Sequence, residues 1–261
     1  MNILQEIIQY KYGEVAANKI KVPVKELENS PNFQRNGNSL KNELLKNGKH
    51  GIIAEFKRKS PSRGIFNENF SPAEITDGYV KNGASGLSIL TDYTYFGGTS
   101  DDLITARKLN PTIPILRKDF IVDEYQLLEA KAMGADVILL IAAAIPVTLL
   151  LQLAKFAKSL GLETLLEVKG KEELENTLSE NIDLVGVNNR NLEDFTLDIN
   201  RSKELSSLIP NHFVKISESG ISKPEVIRDL KTFGFSGFLL GEAFMQTPDP
   251  VASFQQLYQK I

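Results

Sequence analysis

The chain of 261 residues contains no cysteine, no tryptophan and only two histidines, His50 and His212. Without cysteine there can be no disulfide, no thiolate zinc site, no iron–sulfur cluster and no thiol nucleophile. Two histidines are also too few for a metal site built from several imidazole ligands. These absences exclude cysteine chemistry and metal sites built from several histidines.

Charge of one sign and long apolar runs are also lacking. Lysine and arginine number 30 against 33 aspartate and glutamate residues, a net charge of −3, so an overall basic surface for nucleic acid is absent. The longest apolar stretch, 137–151, is shorter than the roughly 18–20 residues of a membrane-spanning helix, and Pro146 interrupts it. An early Glu6 without a preceding basic segment is unlike a signal peptide. We therefore predict a cytoplasmic protein that binds neither nucleic acid nor membrane.

From residue 51 onward, short apolar runs alternate with longer amphipathic segments, as expected for parallel strands joined by helices. Eight such units over roughly 210 residues match a (β/α)8 TIM barrel, whose usual size is about 250 residues. The alternative is an open doubly wound sheet, but the sequence has neither GxGxxG nor GxxxxGK[ST]. The predicted strands are 51–57, 86–91, 114–118, 137–141, 163–168, 184–188, 213–217 and 237–241.

Residues 1–48 precede the first predicted strand and are expected to form a helical extension. Apolar residues at helical spacing there are Ile3, Leu4, Ile7, Ile8 and Val15. Residues 49–261 then form the barrel, and no linker, low-complexity segment or second core interrupts the chain. We therefore predict a single domain, 1–261.

Several helix boundaries are also marked in the sequence. Ser71 and Ser222 are each followed three residues later by glutamate, with a proline between, which is the pattern of a capping box. Gly134 and Gly161 come where helices 123–133 and 147–160 are predicted to end.

Polar side chains gather at the carboxyl ends of the predicted strands, which is where barrel enzymes carry their active sites. Because strand side chains alternate between faces, Glu55, Lys57 and Glu167 should point into the barrel. Three further strands end in Arg117-Lys118-Asp119, Asn188-Asn189-Arg190 and Ser217-Glu218-Ser219-Gly220. One inward charge is commonly part of a structural ion pair, but so many desolvated charges on one rim are costly without a ligand. The pattern predicts a functional cluster.

Two glycine turns indicate a phosphate ligand. Ser219-Gly220 follows the seventh strand and Gly241-Glu242 follows the eighth, at the two loops that commonly hold phosphate in barrels. Either glycine alone is typical of a simple turn, so it is the pair that favours phosphate. Cations near strand ends should strengthen the attraction for an anionic small molecule; they are Lys57, Arg58, Lys59, Arg63, Arg117, Lys118 and Arg190.

The same residues form blocks that resemble the indole-3-glycerol phosphate synthase family across essentially the whole chain. The matching blocks are IAEFKRKSPS from residue 53, LTD from 90, LRKDFI from 116, LEV from 166, GVNNRNL from 186, SESGI from 217 and LGE from 240. The resemblance implies ring closure, decarboxylation and dehydration of 1-(o-carboxyphenylamino)-1-deoxyribulose 5-phosphate to indole-3-glycerol phosphate, in tryptophan biosynthesis.

The resemblance also implies residue roles. Lys118 would be the general acid that protonates the ribulose carbonyl, and Glu167 the general base of the dehydration. Lys57 would hold the anthranilate carboxylate and is a second candidate acid. Further implied residues are Glu55 and Asn188, positioning Lys118 and the sugar hydroxyls; Ser60, Ser219, Gly220, Gly241 and Glu242, around the phosphate; Arg190, orienting carboxylates; Glu218, binding substrate; and Phe96 and Phe120, enclosing the aromatic ring.

This chemistry agrees with the residue types present. A partly desolvated lysine near other cations should have a lowered pKa, which suits proton donation at neutral pH. The iminium formed by ring closure accepts the electrons of the leaving carboxylate. We therefore expect neither a cofactor nor a metal.

Two other functions are weighed against this one. A barrel aldolase or isomerase would need a Schiff-base lysine on the sixth strand or an acid pair, and that strand offers Asn188 instead of lysine. A non-catalytic phosphate-binding subunit would have no use for Lys57, Lys118 and Glu167 together. We expect a monomer; weak association with other tryptophan-pathway enzymes is left open.

Overall fold

The computed structural model describes residues 2–191 and 195–261, in which eight parallel strands close into a barrel. The strands are β1 (Ile52–Phe56), β2 (Gly86–Leu90), β3 (Ile115–Lys118), β4 (Val137–Ile141), β5 (Glu163–Val168), β6 (Leu184–Asn188), β7 (Val214–Glu218) and β8 (Phe235–Leu240). Strand β1 pairs with both β2 and β8, which completes the ring. The predicted TIM barrel with an amino-terminal helical segment is confirmed.

The strand bounds agree with prediction within one residue, except at β8. That strand begins at Phe235, two residues before the predicted start, and its register against β7 shifts between Phe235 and Gly237. Such a bulge adds a residue to one strand and hides the start of the alternation. Of the GVNNRNL block, Leu192 lies outside the described residues.

Helices precede β1 and alternate with the strands after it. They are α1 (Ile3–Lys21), α2 (Val24–Glu28), α3 (Leu40–Leu44), α4 (Pro72–Lys81), α5 (Tyr93–Phe96), α6 (Ser100–Leu109), α7 (Glu124–Met133), α8 (Val147–Ser159), α9 (Lys171–Thr177), α10 (Asn200–Ser206), α11 (Pro224–Thr232), α12 (Glu242–Met245) and α13 (Pro250–Tyr258). A short antiparallel pair, Lys59–Ser60 with Gly64–Ile65, lies in the loop after β1. Among residues 2–191 and 195–261, none of the helices combines the length and the hydrophobicity that a membrane span requires.

One of the two predicted serine caps is correct and the other is wrong. The Ser71 hydroxyl accepts the N–H of Glu74 at the start of α4. Helix α11 is instead preceded by Lys223, which provides no side-chain cap. Proline favours the first helical position, so the capping residue is the one directly before it, and Ser222 is one residue too early. The predicted glycine at the end of α7 is confirmed, since Gly134 has the left-handed conformation.

The barrel has an outer and an inner apolar layer, and strand parity separates them. On β1, Ile52, Ala54 and Phe56 are fully buried in the layer shared with the helices, whereas Ile53 packs inside the barrel. Glu55, on the same face as Ile53, therefore points inward as predicted.

The amino-terminal extension covers both ends of the barrel. Leu4 and Ile7 of α1 belong to the inner apolar layer, as do Leu40 and Leu44 of α3. At the start of β5, the Glu163 carboxylate accepts the backbone N–H of Leu40 at 2.8 Å, which fixes α3 at the amino-terminal end. Helix α1 lies at the opposite end, where Leu4 and Ile7 line a pocket.

Candidate active site

A pocket opens at the carboxyl-terminal mouth of the barrel. Every site residue expected from the sequence lines it: Glu55, Lys57, Ser60, Phe96, Lys118, Phe120, Glu167, Asn188, Arg190, Glu218, Ser219, Gly220, Gly241 and Glu242. These residues come from the ends of five strands, β1, β3, β5, β6 and β7, and from the segments that follow strands. The structure thus brings the expected set together, and the role of each member stays a prediction.

Lys118, the last residue of β3, lies between two carboxylates. Its Nζ is 2.9 Å from Glu167 Oε2 and 2.8 Å from Glu218 Oε2. Glu167 also accepts a hydrogen bond from the side-chain amide of Asn188 at 3.0 Å. Residues on β3, β5, β6 and β7 therefore hold one lysine ammonium in a fixed position.

The expectation of a lowered pKa for Lys118 is wrong. Burial by itself would lower the pKa of Lys118, but the carboxylates of Glu167, Glu218 and Glu55 outweigh it and raise the pKa above the ordinary lysine value. In the protein without ligand, Lys118 is therefore a charged ammonium at neutral pH. The neighbouring carboxylates stabilise this charge, and no neighbouring cation is needed to explain its pKa.

Four of the predicted rim cations do not line the pocket; they are Arg58, Lys59, Arg63 and Arg117. Arg117 alternates with Lys118 along β3, so it points toward the helices, where its guanidinium bonds Asp119 and Glu129 at 3.0 and 3.1 Å. Arg58 pairs with Asp102 at the start of α6 at 2.6 Å. Of the seven predicted cations, three line the pocket, so the predicted cationic field is reduced there.

A second lysine–carboxylate pair lies at the end of β1. Lys57 Nζ is 2.6 Å from Glu55 Oε1, and both side chains are mostly buried. Gly241 leaves room for this pair, because a Cβ at that position would be 2.8 Å from the Glu55 Cβ. Glycine is therefore needed after β8 because the backbone there lies very close to the Glu55 side chain.

Glu218 is a deeply buried pocket carboxylate, with its side chain only 2% exposed. Burial raises the pKa of Glu218 to about 7, with Lys118 opposing the shift and Glu167 and Glu55 adding to it. Among the described residues, none bonds to its Oε1. A Cβ on Gly186 would lie 2.1 Å from that oxygen, so β6 needs glycine there. Sequence reasoning missed Gly186, although a glycine inside a strand is itself a signal of close approach.

The two predicted glycine turns meet at one side of the mouth. Ser219 and Gly220 both have left-handed backbones, with φ of 68° and 74°. A serine rarely adopts this conformation, and such strain is concentrated at binding sites. Successive backbone N–H groups in a turn can form a concave site for an anion. Glu242 stands beside the turn and is bonded by Arg190 and Arg63, both at 2.9 Å.

The other side of the pocket is apolar. The rings of Phe96 and Phe120 are 5.9 Å apart, and Leu4 and Ile7 of α1 complete the wall. The sequence predicts an apolar face on α1 but gives it no place in the pocket. No local pattern shows that this face would reach the pocket, since the contact spans more than 80 residues of chain.

A closed parallel barrel with lysines, carboxylates and glycine turns at its carboxyl-terminal mouth defines the class of (β/α)8-barrel enzymes. Within this class, a family model described as indole-3-glycerol phosphate synthase matches residues 4–257. The chain belongs to the indole-3-glycerol phosphate synthase family.

Curated relatives agree over nearly their full length. An indole-3-glycerol phosphate synthase of Bacteroides thetaiotaomicron is 47% identical, covering 100% of this chain and 99% of the relative. One of Laribacter hongkongensis is 41% identical, covering 98% and 99%.

Among solved structures, the 3-hexulose-6-phosphate synthase of Salmonella typhimurium has a TM-score of 0.65 at 13% identity, covering 80% of this chain and 97% of that one. The thiamine phosphate pyrophosphorylase of Pyrococcus furiosus has a TM-score of 0.61 at 16% identity, covering 85% and 97%. These two likenesses show the fold alone.

Proposed function

We propose that the chain converts 1-(o-carboxyphenylamino)-1-deoxyribulose 5-phosphate to indole-3-glycerol phosphate, releasing carbon dioxide and water. Family membership supports the reaction. The observation that carries the assignment to this pocket is its division into three parts: an apolar wall, two lysine–carboxylate pairs and a glycine-rich turn. These parts match the aromatic ring, the reacting carbons and the phosphate of this substrate.

The substrate lies with its aromatic ring against the wall formed by Phe96 and Phe120 and its phosphate at Ser219-Gly220. Its carboxylate then faces Lys57 near the end of β1. Fixing both ends holds the ring carbon next to the ketone carbon. This lowers the entropic cost of bringing the two reacting atoms together. Arg190 holds Glu242 beside the phosphate end.

Ring closure uses Lys118 as the general acid. The ring carbon attacks the ketone carbon, and the ketone oxygen takes the proton from Lys118 Nζ. Because Lys118 is charged in the free protein, its ammonium also stabilises the negative charge that develops on that oxygen. Asn188 and Glu167 keep the lysine in place through their contacts.

Loss of carbon dioxide and then of water restores the aromatic system. The iminium nitrogen formed by closure takes the electron pair of the breaking carbon–carboxylate bond. Dehydration then needs a proton for the departing hydroxyl and a base for one proton of the ring methylene next to nitrogen, while the nitrogen keeps its own proton. We assign the base to Glu167, and the acid to Lys118 or Lys57.

The test supplies the purified chain with the ribulotide substrate and follows indole fluorescence and released carbon dioxide together. We expect one carbon dioxide for each indole-3-glycerol phosphate. A different product, or binding without turnover, would favour the aldolase, isomerase or non-catalytic alternatives. Lys118→Ala serves as the inactive control.

The cytoplasmic location, the monomeric state and a single domain over 1–261 also stay predictions. Light scattering measures the mass in solution. One cooperative unfolding transition, seen alike by several probes, would support a single domain.

A further inference from the structure

Lys11 of helix α1 is a fully buried lysine to which the proposed chemistry gives no role. Its Nζ lies 2.9 Å from Asp92 Oδ2 and 3.0 Å from both Asp119 Oδ1 and Glu14 Oε1. Asp92 and Asp119 are themselves almost completely buried. Burial would lower the pKa of Lys11, but these carboxylates outweigh it and raise the pKa, so the ammonium stays charged.

Each of the two aspartates fixes the backbone that carries one pocket phenylalanine. Asp119 Oδ1, which contacts Lys11, also accepts the backbone N–H of Phe120 at 2.8 Å. Asp92 Oδ1 accepts the N–H of Tyr95 at 2.7 Å and so caps α5, which ends at Phe96. Movement of either carboxylate would therefore move a ring of the apolar wall.

Helix α1 brings the rest of that wall. Leu4 and Ile7 precede Lys11 by seven and four residues, so all three share one helix face. Leu4 and Ile7 line the pocket, while Lys11 lies behind it among the aspartates. Three separate segments of chain thus meet at one ammonium group.

We propose that Lys11 is a positioning residue that sets the affinity of the pocket for the aromatic ring of its ligand. Asp92 and Asp119 are anions held close together out of water, and without Lys11 their charges lack this compensation. They would then take up water or move apart, carrying Phe96 and Phe120 with them. The inference rests on the proposed function for one point only, that the bound aromatic ring belongs to the substrate.

The test compares Lys11→Met with Lys19→Met. Lys19 is on the same helix and pairs with Asp123 at 2.8 Å, but its side chain is 47% exposed, so it controls for general attachment of α1. On the full-length variants we measure kcat and KM, the affinity for anthranilate as a ring probe, and the affinity for inorganic phosphate. We expect Lys11→Met to raise KM and weaken anthranilate about tenfold, with phosphate affinity and kcat little changed. Lys19→Met should resemble the unaltered chain.

Lys11→Arg is a second variant that tests the proposal if Lys11→Met does not fold. It retains the charge but places a planar group between the aspartates, so we expect a smaller change in the same direction. Wild-type anthranilate affinity in the folded variants would overturn the proposal, as would equal losses for anthranilate and phosphate, which indicate a merely structural role. If the unaltered chain does not turn over the ribulotide but Lys11 variants still lose anthranilate selectively, the proposed function fails and the positioning role stands.

Discussion

Lys118 on β3 and Glu218 on β7 form a buried ion pair across the pocket floor from opposite sides of the barrel, with 2.8 Å between Nζ and Oε2. Glu167 and Glu55 also lie close enough to influence both groups. The three carboxylates are opposed in this region by Lys118 and by Lys57, which pairs with Glu55. The excess negative charge is relieved when Glu218 takes up a proton, and burial brings its pKa to about 7.

The first prediction concerns the pH dependence of stability. The pKa of Glu218 is about 7 in the folded chain, against an ordinary value of 4.5 when unfolded. The folded state therefore binds this proton more tightly, and its stabilising effect is present at low pH and lost as the pH rises through about 7. Relative to Glu218→Gln, the free energy of unfolding of the unaltered chain should fall by on the order of 2 kcal/mol between pH 5 and pH 8. Urea unfolding of both proteins measures it, and parallel pH curves would contradict it.

The second prediction concerns Lys118→Ala. A general acid acting in the transition state typically contributes about 10²–10⁴ in rate, so kcat should fall by that factor. KM should change less, because the ring and phosphate contacts remain. Steady-state kinetics on the folded variant, checked by circular dichroism, measures both. Lys158→Ala is the control, since Lys158 pairs with Asp183 away from the pocket and should leave kcat unchanged. Near-normal kcat in Lys118→Ala would remove this residue from the mechanism.

The third prediction concerns Glu242→Gln. The Glu242 carboxylate stands beside the proposed phosphate site and engages Arg63 and Arg190. Glutamine removes a negative charge there and weakens its hold on both guanidinium groups. We expect KM and the inhibition constant for inorganic phosphate to fall about two- to tenfold at low salt, with a smaller change at high salt because the charges are screened. Glu225→Gln is the control, since Glu225 is exposed on α11 and pairs with Arg228. It should change neither constant. Weaker phosphate binding in Glu242→Gln would show that its carboxylate supports the site.

Much of this site could be predicted because side chains alternate between the two faces of a strand, and this alternation can be counted directly in the sequence. The alternation along β1 was enough to place Glu55 and Lys57 inside, and the same rule places Glu167 on β5. Applied strictly to β3, it also sends Arg117 outward once Lys118 points inward. The prediction that Arg117 adds to the positive charge of the pocket is wrong because it ignores which face of β3 carries the Arg117 side chain.

Other features depend on distances that no local pattern contains. The raised pKa of Lys118 follows from carboxylates on β1, β5 and β7, far away in the sequence. The pocket wall formed by Leu4 and Ile7 depends on how α1 docks, and the ion pairs of Lys11 with Asp92 and Asp119 form only in the folded chain. Sequence therefore indicated which groups meet, but the direction of the Lys118 pKa shift required the structure.

The last prediction concerns the base of the dehydration step. Glu167 Oε2 contacts Lys118 and its Oε1 accepts the Asn188 amide, so Glu167→Gln keeps the shape of the side chain and removes its basicity. Ring closure and decarboxylation should still occur while dehydration slows. Rapid mixing should therefore show carbon dioxide released before indole fluorescence appears, with an intermediate accumulating. Glu55→Gln is the matched comparison, because Glu55 pairs with the other pocket lysine at 2.6 Å. If the intermediate accumulates only in Glu55→Gln, the base is Glu55 acting with Lys57. If both signals slow equally in Glu167→Gln, Glu167 acts earlier, by holding Lys118 for ring closure.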